Sequence, residues 1–196
     1  MKRLILLATV AAAMSGCFDK KTADEGLKKA IEASVKVDTA NNSPDVALKS
    51  WWKLKDVGGV VENEICKNNL ETASPYFRKL EQLSMEDVRT DRGCTQSPPV
   101  FERRITKVEI QSETRSVITA QVINVTPPDV AAVLDTEDKK TKESGEIFQY
   151  LLERKNAGDG WKISQVSRYR SYAQSWEPVY AKRQPAKNIY VYDWMQ

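Results

Sequence analysis

The stretch Ile147-Phe148-Gln149-Tyr150-Leu151-Leu152-Glu153-Arg154-Lys155, then Asn156-Ala157-Gly158-Asp159-Gly160, then Trp161-Lys162-Ile163-Ser164-Gln165-Val166-Ser167-Arg168-Tyr169-Arg170, decides the fold. Two segments rich in large apolar residues flank a cluster of Asn, Gly and Asp. Glycine reaches positive φ at no steric cost, and Asn and Asp close turns through their own side chains, so the cluster predicts a hairpin. Ile147–Lys155 and Trp161–Arg170 are its strands. Upstream, Arg104, Thr106, Val108 and Ile110 alternate with Ile105, Lys107, Glu109 and Gln111, which predicts a half-exposed strand from Phe101 onward. Ser116–Val125, rich in Val, Ile and Thr, predicts another, and Pro127-Pro128 stops it because proline cannot donate to a ladder. Asp135–Glu143 mixes charges densely and is expected as a solvated loop.

Before Phe101 the pattern is helical. In Asn41-Asn42-Ser43-Pro44-Asp45, Ser43 can cap, Pro44 suits the first helical position, and Asp45 complements the positive amino end of a helix. Ala47, Trp51 and Leu54 then share a face that Trp52 broadens, and Gly58-Gly59 is expected to interrupt or turn the helix. Val60, Val61 and Ile65 carry apolar packing on toward Cys66. Ser74-Pro75 starts a second helix with Tyr76, Phe77, Leu80 and Leu83, and Ser84 with Asp87 a further short turn. Arg89–Pro99 is expected as an irregular connection that contains Cys94. Ahead of all this, Leu27, Ile31, Ser34 and Val35 make a weak amphipathic face, compatible with a packed helix or with a mobile spacer.

Helices followed by about four antiparallel strands make an α+β chain, with the amino-terminal helices packed on one face of a curled sheet. This order, with the closing strand that begins Gly160-Trp161-Lys162-Ile163, resembles the cone-shaped NTF2-like superfamily over Ser43–Arg170. The cystatin-like arrangement, with one long helix, is the near alternative. The resemblance implies a pocket between helices and sheet, and it describes shape rather than activity.

At the start, Lys2 and Arg3 precede an apolar run, Leu4–Ala13, and then Met14-Ser15-Gly16-Cys17. About ten apolar residues are too few to cross roughly 30 Å of hydrocarbon, so the run reads as a signal segment. The four residues ending at Cys17 resemble the lipobox of bacterial lipoproteins, with Met14 in place of the usual Leu. The resemblance implies cleavage after Gly16 and a diacylglycerol on Cys17. Two or three acyl chains hold a protein stably on a bilayer where one does not. Phe18 rather than Asp follows the cysteine, which by resemblance to enteric sorting implies the outer membrane, facing the periplasm. The expected organisation is a signal over 1–16, an acylated tether over 17–42, the α+β domain over 43–170 and an aromatic-rich extension over 171–196.

The chain has 196 residues, 30 basic and 27 acidic, and no histidine. Loss of Lys2 and Arg3 with the signal leaves 28 basic side chains against 27 acidic, a balance that demands neither nucleic acid nor an acidic substrate. With Cys17 carrying lipid, Cys66 and Cys94 remain, and an oxidising periplasm would pair them. In the chain-entropy account such a loop is worth about 3–4 kcal/mol. Without histidine, the Ser-His-Asp and Cys-His mechanisms and the common zinc sites are excluded. No metal or cofactor is implied. Glu102, Glu109, Glu146 and Glu153 fall in strands, but alternation gives them no convincing inward pair.

From Tyr169 onward the chain carries Tyr172, Trp176, Tyr180, Tyr190, Tyr192 and Trp194 among few aliphatic residues. Such rings either pack on the domain or form a binding surface, because Tyr and Trp bury much area at small entropic cost. Two functions of different class follow. One is a membrane-held protein-interaction or ligand-binding module of the envelope, in assembly, secretion or toxin immunity. The other is an envelope enzyme using carboxylate or tyrosine chemistry in a cone pocket.

Overall fold

The computed structural model describes residues 20–65, 73–88, 98–128 and 133–180. Among them are four helices: α1 (Lys20–Lys36), α2 (Pro44–Ile65), α3 (Ser74–Leu83) and α4 (Thr136–Ser144). Five strands complete the fold: β1 (Phe101–Ser112), β2 (Arg115–Asn124), β3 (Glu146–Glu153), β4 (Lys162–Arg170) and β5 (Ser175–Pro178). They form one open antiparallel sheet in the order β1-β2-β3-β4-β5, so every strand lies beside its neighbours in sequence. The chain is α+β, with five strands where about four were expected. The additional one, β5, pairs with β4 and belongs to the segment beyond Arg170.

Register explains which face is buried. Ile105 and Ala120 are partners, as are Val108 and Ile118, Ile118 and Tyr150, and Tyr150 and Val166. Directly opposed residues share a face, and on this one Ile118, Ala120, Tyr150, Leu152, Ile163 and Val166 are buried. Helices α2 and α3 cover it. Trp51 and Trp52 meet Tyr150 edge to face, with ring centroids 6.2 and 5.5 Å apart. Such pairs add about 0.5–1.5 kcal/mol beyond the area they bury. α1 lies against α2 and α3, with Leu27 and Ser34 buried and Ile31 partly so, while Val35 points to solvent. Among the described residues no helix is long and apolar enough to cross a membrane.

Two expectations are corrected. Gly58-Gly59 neither interrupts nor turns α2, which runs unbroken from Pro44 to Ile65. The glycines serve close packing instead: a Cβ on Gly58 would lie 2.1 Å from the Tyr76 ring, and one on Gly59 would lie 2.8 Å from Pro98. Asp135–Glu143 is not a loop but the start and body of α4. The Asp135 side chain caps it by accepting from Asp138 N, and Gly145, at φ 69°, ends it in a conformation that favours glycine. Gln121 Nε2 donates to Ser144 O at 2.7 Å and ties this helix to β2.

The predicted hairpin turn forms. Asp159 accepts from Asn156 N and Nδ2 through one carboxylate oxygen, and Asp159 N donates to Asn156 O. Trp161 N donates to Asn41 O at 2.9 Å, which fixes the entry to α2 against the start of β4.

Candidate interaction surface

The β4–β5 hairpin is the part of the fold with exposed rings on a rigid support. Its connection is Ser171-Tyr172-Ala173-Gln174, closed by Ala173 N donating to Arg170 O at 3.2 Å. Gln174 takes φ 50°, the left-handed region, as the last residue before β5. That conformation costs a side-chain-bearing residue about 1–2 kcal/mol, so the strand pairing holds it in place. Tyr169 and Trp176 are register partners and therefore share a face. Their rings pack edge to face at 5.3 Å and 62° while both remain in contact with solvent, 44% and 36% exposed. Tyr172, in the turn, is 80% exposed.

The opposite face of the same hairpin is held by charge. Arg168 and Glu177 are register partners; Arg170 Nε donates to Glu177 Oε2 at 3.0 Å, and Arg168 Nη1 to Glu146 Oε2 at 3.3 Å. Pairs this exposed contribute little to stability, about 0–1 kcal/mol each. Their consequence is orientation: ionic contacts take one face, and the rings of Tyr169 and Trp176 are left on the other.

Of the six aromatics singled out as candidate contacts, the structure brings Tyr172 and Trp176 to this hairpin. Tyr180 goes elsewhere: it is partly buried against the core and close enough to Tyr150 to influence its ionisation. Tyr190, Tyr192 and Trp194 lie outside the described residues, as do Cys17, Cys66 and Cys94. Tyr169 joins the surface although it was read as part of a strand. The strand register that places it beside Trp176 follows once the connection is known to be four residues long.

A second cluster lies on the helix-covered face. The Arg103 guanidinium sits 5.8 Å from the Trp52 ring centroid and 5.3 Å from that of Phe101, and it grips Asp56 with two bonds of 2.7 and 2.8 Å. Burial pushes the nearby Tyr150 phenol up to about 12; Trp52 and Arg103 pull it the other way, and Tyr180 raises it further. The buried Trp52 Nε1 has no acceptor in hydrogen-bonding geometry among the described residues, yet it lies near enough to the phenol to favour its ionised form. A phenol held so high stays protonated well above neutral pH and does not act as a base there.

The strand carboxylates form no acid–base pair. Glu109 is bridged to Lys107 at 2.9 Å, Glu153 to Arg115 at 3.2 Å and Glu146 to Arg168 at 3.3 Å. Glu102 borders an open groove of about 610 Å³ between α4 and the end of β2, floored by Ile123, Val125 and Leu134 and edged by Lys139 and Glu143. Among the described residues no three His, Cys, Asp or Glu side chains gather as metal ligands would. No protein-family model, no curated protein and no solved structure matches the chain.

Proposed function

We propose that this is a lipid-anchored envelope protein that recognises a protein partner through the β4–β5 hairpin. The anchor is the thioether-linked lipid on Cys17, the location is the outer membrane facing the periplasm, and Cys66 is paired with Cys94. In this reading the α+β body is an NTF2-like cone whose role is to present a surface. One observation carries the proposal: Tyr169, Tyr172 and Trp176 remain accessible on a hairpin whose other face is fastened by ion pairs. Tyr and Trp are enriched among residues that dominate binding energy, and a pre-organised support lowers the entropic cost of using them. Engagement of three of the four strand carboxylates by cations favours this reading over an enzyme.

The test has two parts. Fatty-acid labelling should mark the wild type and not Cys17→Ala; an unlabelled wild type removes the anchor and the compartment. Affinity capture from envelope extracts should recover a specific partner with the wild type and lose most of it with Tyr172→Ala/Trp176→Ala. Equal recovery by the two proteins removes the hairpin from the proposal.

A further inference from the structure

Among the described residues β1 is an edge strand of twelve residues, whereas the opposite edge, β5, has four and ends at Pro178. Proline and brevity blunt β5 as a pairing template; β1 is long and free of proline, while its bulge at Thr106 and its charged residues restrict it to a partner whose bulge and charges match. It also carries Val108 and Ile110, 43% and 61% exposed, on the face that bears the buried Ile118 of β2.

We propose that β1 pairs antiparallel with β1 of a second copy, about a two-fold axis between Thr106 and Lys107, so that two five-stranded sheets become one. The irregularity between Ile105 and Lys107 requires the axis to fall between two residues, and the charges on the strand choose among those positions. Ile105 opposes Ala120 and Lys107 opposes Thr119, so Thr106 is an extra residue and the alternation of faces shifts at that point. Phe101, Arg103 and Ile105 therefore share a face with Val108 and Ile110, while Glu102, Arg104, Lys107 and Glu109 take the other. An axis passing through Thr106 itself would oppose residues of unlike face, Ile105 to Lys107 and Arg104 to Val108. With the axis between Thr106 and Lys107, Thr106 of each strand meets the partner's Lys107, and residues of like face are opposed on either side of the irregularity.

The side chains then match. Ile105 meets the partner's Val108, and Arg103 meets the partner's Ile110; a second irregularity, at Gln111, ends the matched register. Arg104 meets the partner's Glu109, and symmetry makes that ion pair twice. In the structure Arg104 has only a long contact with Gln121, at 3.5 Å, so its charge is available. Moving the axis by one residue toward Phe101 would oppose Glu102 to Glu109 and Arg104 to Lys107, two like-charge pairs, which disfavours the adjacent register.

The experiment measures the mass of the full-length protein in detergent by sedimentation across a concentration series. A monomer–dimer equilibrium is expected. Arg104→Glu and Glu109→Arg should each weaken it by on the order of tenfold, because each turns two attractive cross-strand pairs into repulsive ones. The double variant Arg104→Glu/Glu109→Arg should recover wild-type association. Hydrogen exchange of the wild type gives a second reading without any substitution: β1 amides should lose protection on dilution while β3 amides keep theirs. A wild-type protein that stays monomeric overturns the proposal. So does a dimer indifferent to both reversals, or β1 protection that does not change with concentration.

Discussion

Gly58 and Tyr76 occupy space that only one of them can fill. The Tyr76 ring is fully buried against α2, its Cε2 atom 2.1 Å from where a Cβ on Gly58 would stand, and its hydroxyl donates to Glu62 Oε1 at 2.6 Å. A glycine that costs α2 about 1 kcal/mol in helix propensity thus admits the largest fully buried side chain of the fold.

Gly58→Ala should destabilise the protein by about 1–3 kcal/mol, the usual cost of overpacking, despite alanine's better helix propensity. Gly58→Ala/Tyr76→Leu should lose less than the two single variants added together, because the smaller side chain vacates the space the new methyl needs. Urea unfolding of the four proteins checks this. Strict additivity would mean that the two residues do not compete.

Lys55 and Glu62 form a salt bridge inside the helical layer, with side chains 6% and 9% exposed. Breaking a buried pair from one side leaves a charge in a poor solvent, at a cost of about 3–5 kcal/mol, whereas replacing both partners by apolar groups is often near neutral. In a Tyr76→Phe background, which removes the hydroxyl that also donates to Glu62, Lys55→Met should therefore be more damaging than Lys55→Met/Glu62→Leu. Thermal unfolding midpoints distinguish the two, and equal losses would show that the ionic contact is incidental.

Tyr150 supplies a pH signature. Its ordinary value is 10.0 and burial raises it to about 12 in the folded protein, so the native state holds this proton more tightly than the unfolded chain does. The associated stability is fully present below pH 10 and is lost as pH rises from 10 toward 12. Phenolate absorbance should show a late-titrating component, and Tyr150→Phe should diminish it. A profile unchanged by the substitution would place the late tyrosine elsewhere.

Gln174 sets two opposing costs against each other. Glycine would relieve about 1–2 kcal/mol of left-handed strain and lose about 0.5–1 kcal/mol by loosening the unfolded chain. Gln174→Gly should thus stabilise the protein by about 0.5–1 kcal/mol and leave capture of a partner by the hairpin unchanged. Denaturant midpoints measure the first outcome and affinity capture the second; a destabilised variant would mean that the Gln side chain itself supports the turn.

Most of the element order was legible because its signals are local. Asn156-Ala157-Gly158-Asp159-Gly160 closes its turn with its own side chains, and α2 begins at Pro44, within Ser43-Pro44-Asp45. α4 was hidden because none of its residues is buried, so it lacks the apolar stripe that marks a packed helix; its capping aspartate was the one readable sign. β5 was hidden by its length, four residues with no alternation to detect. Of the candidate surface, the concentration of aromatic residues could be read directly, but their separation could not: Trp176 faces Tyr169 through strand register, and Tyr180 turns toward the core.

The chain by itself determined where helices and strands begin and that helices precede an antiparallel sheet. Turn chemistry, caps and alternation act over a few residues and need no distant partner. Only the tertiary structure decided that Gly58-Gly59 lies inside a helix, because the reason is a tyrosine 18 positions away whose ring needs the room. The same holds for the hairpin rings: strand register, set by contacts distant in sequence, assigns each one to solvent or to the core.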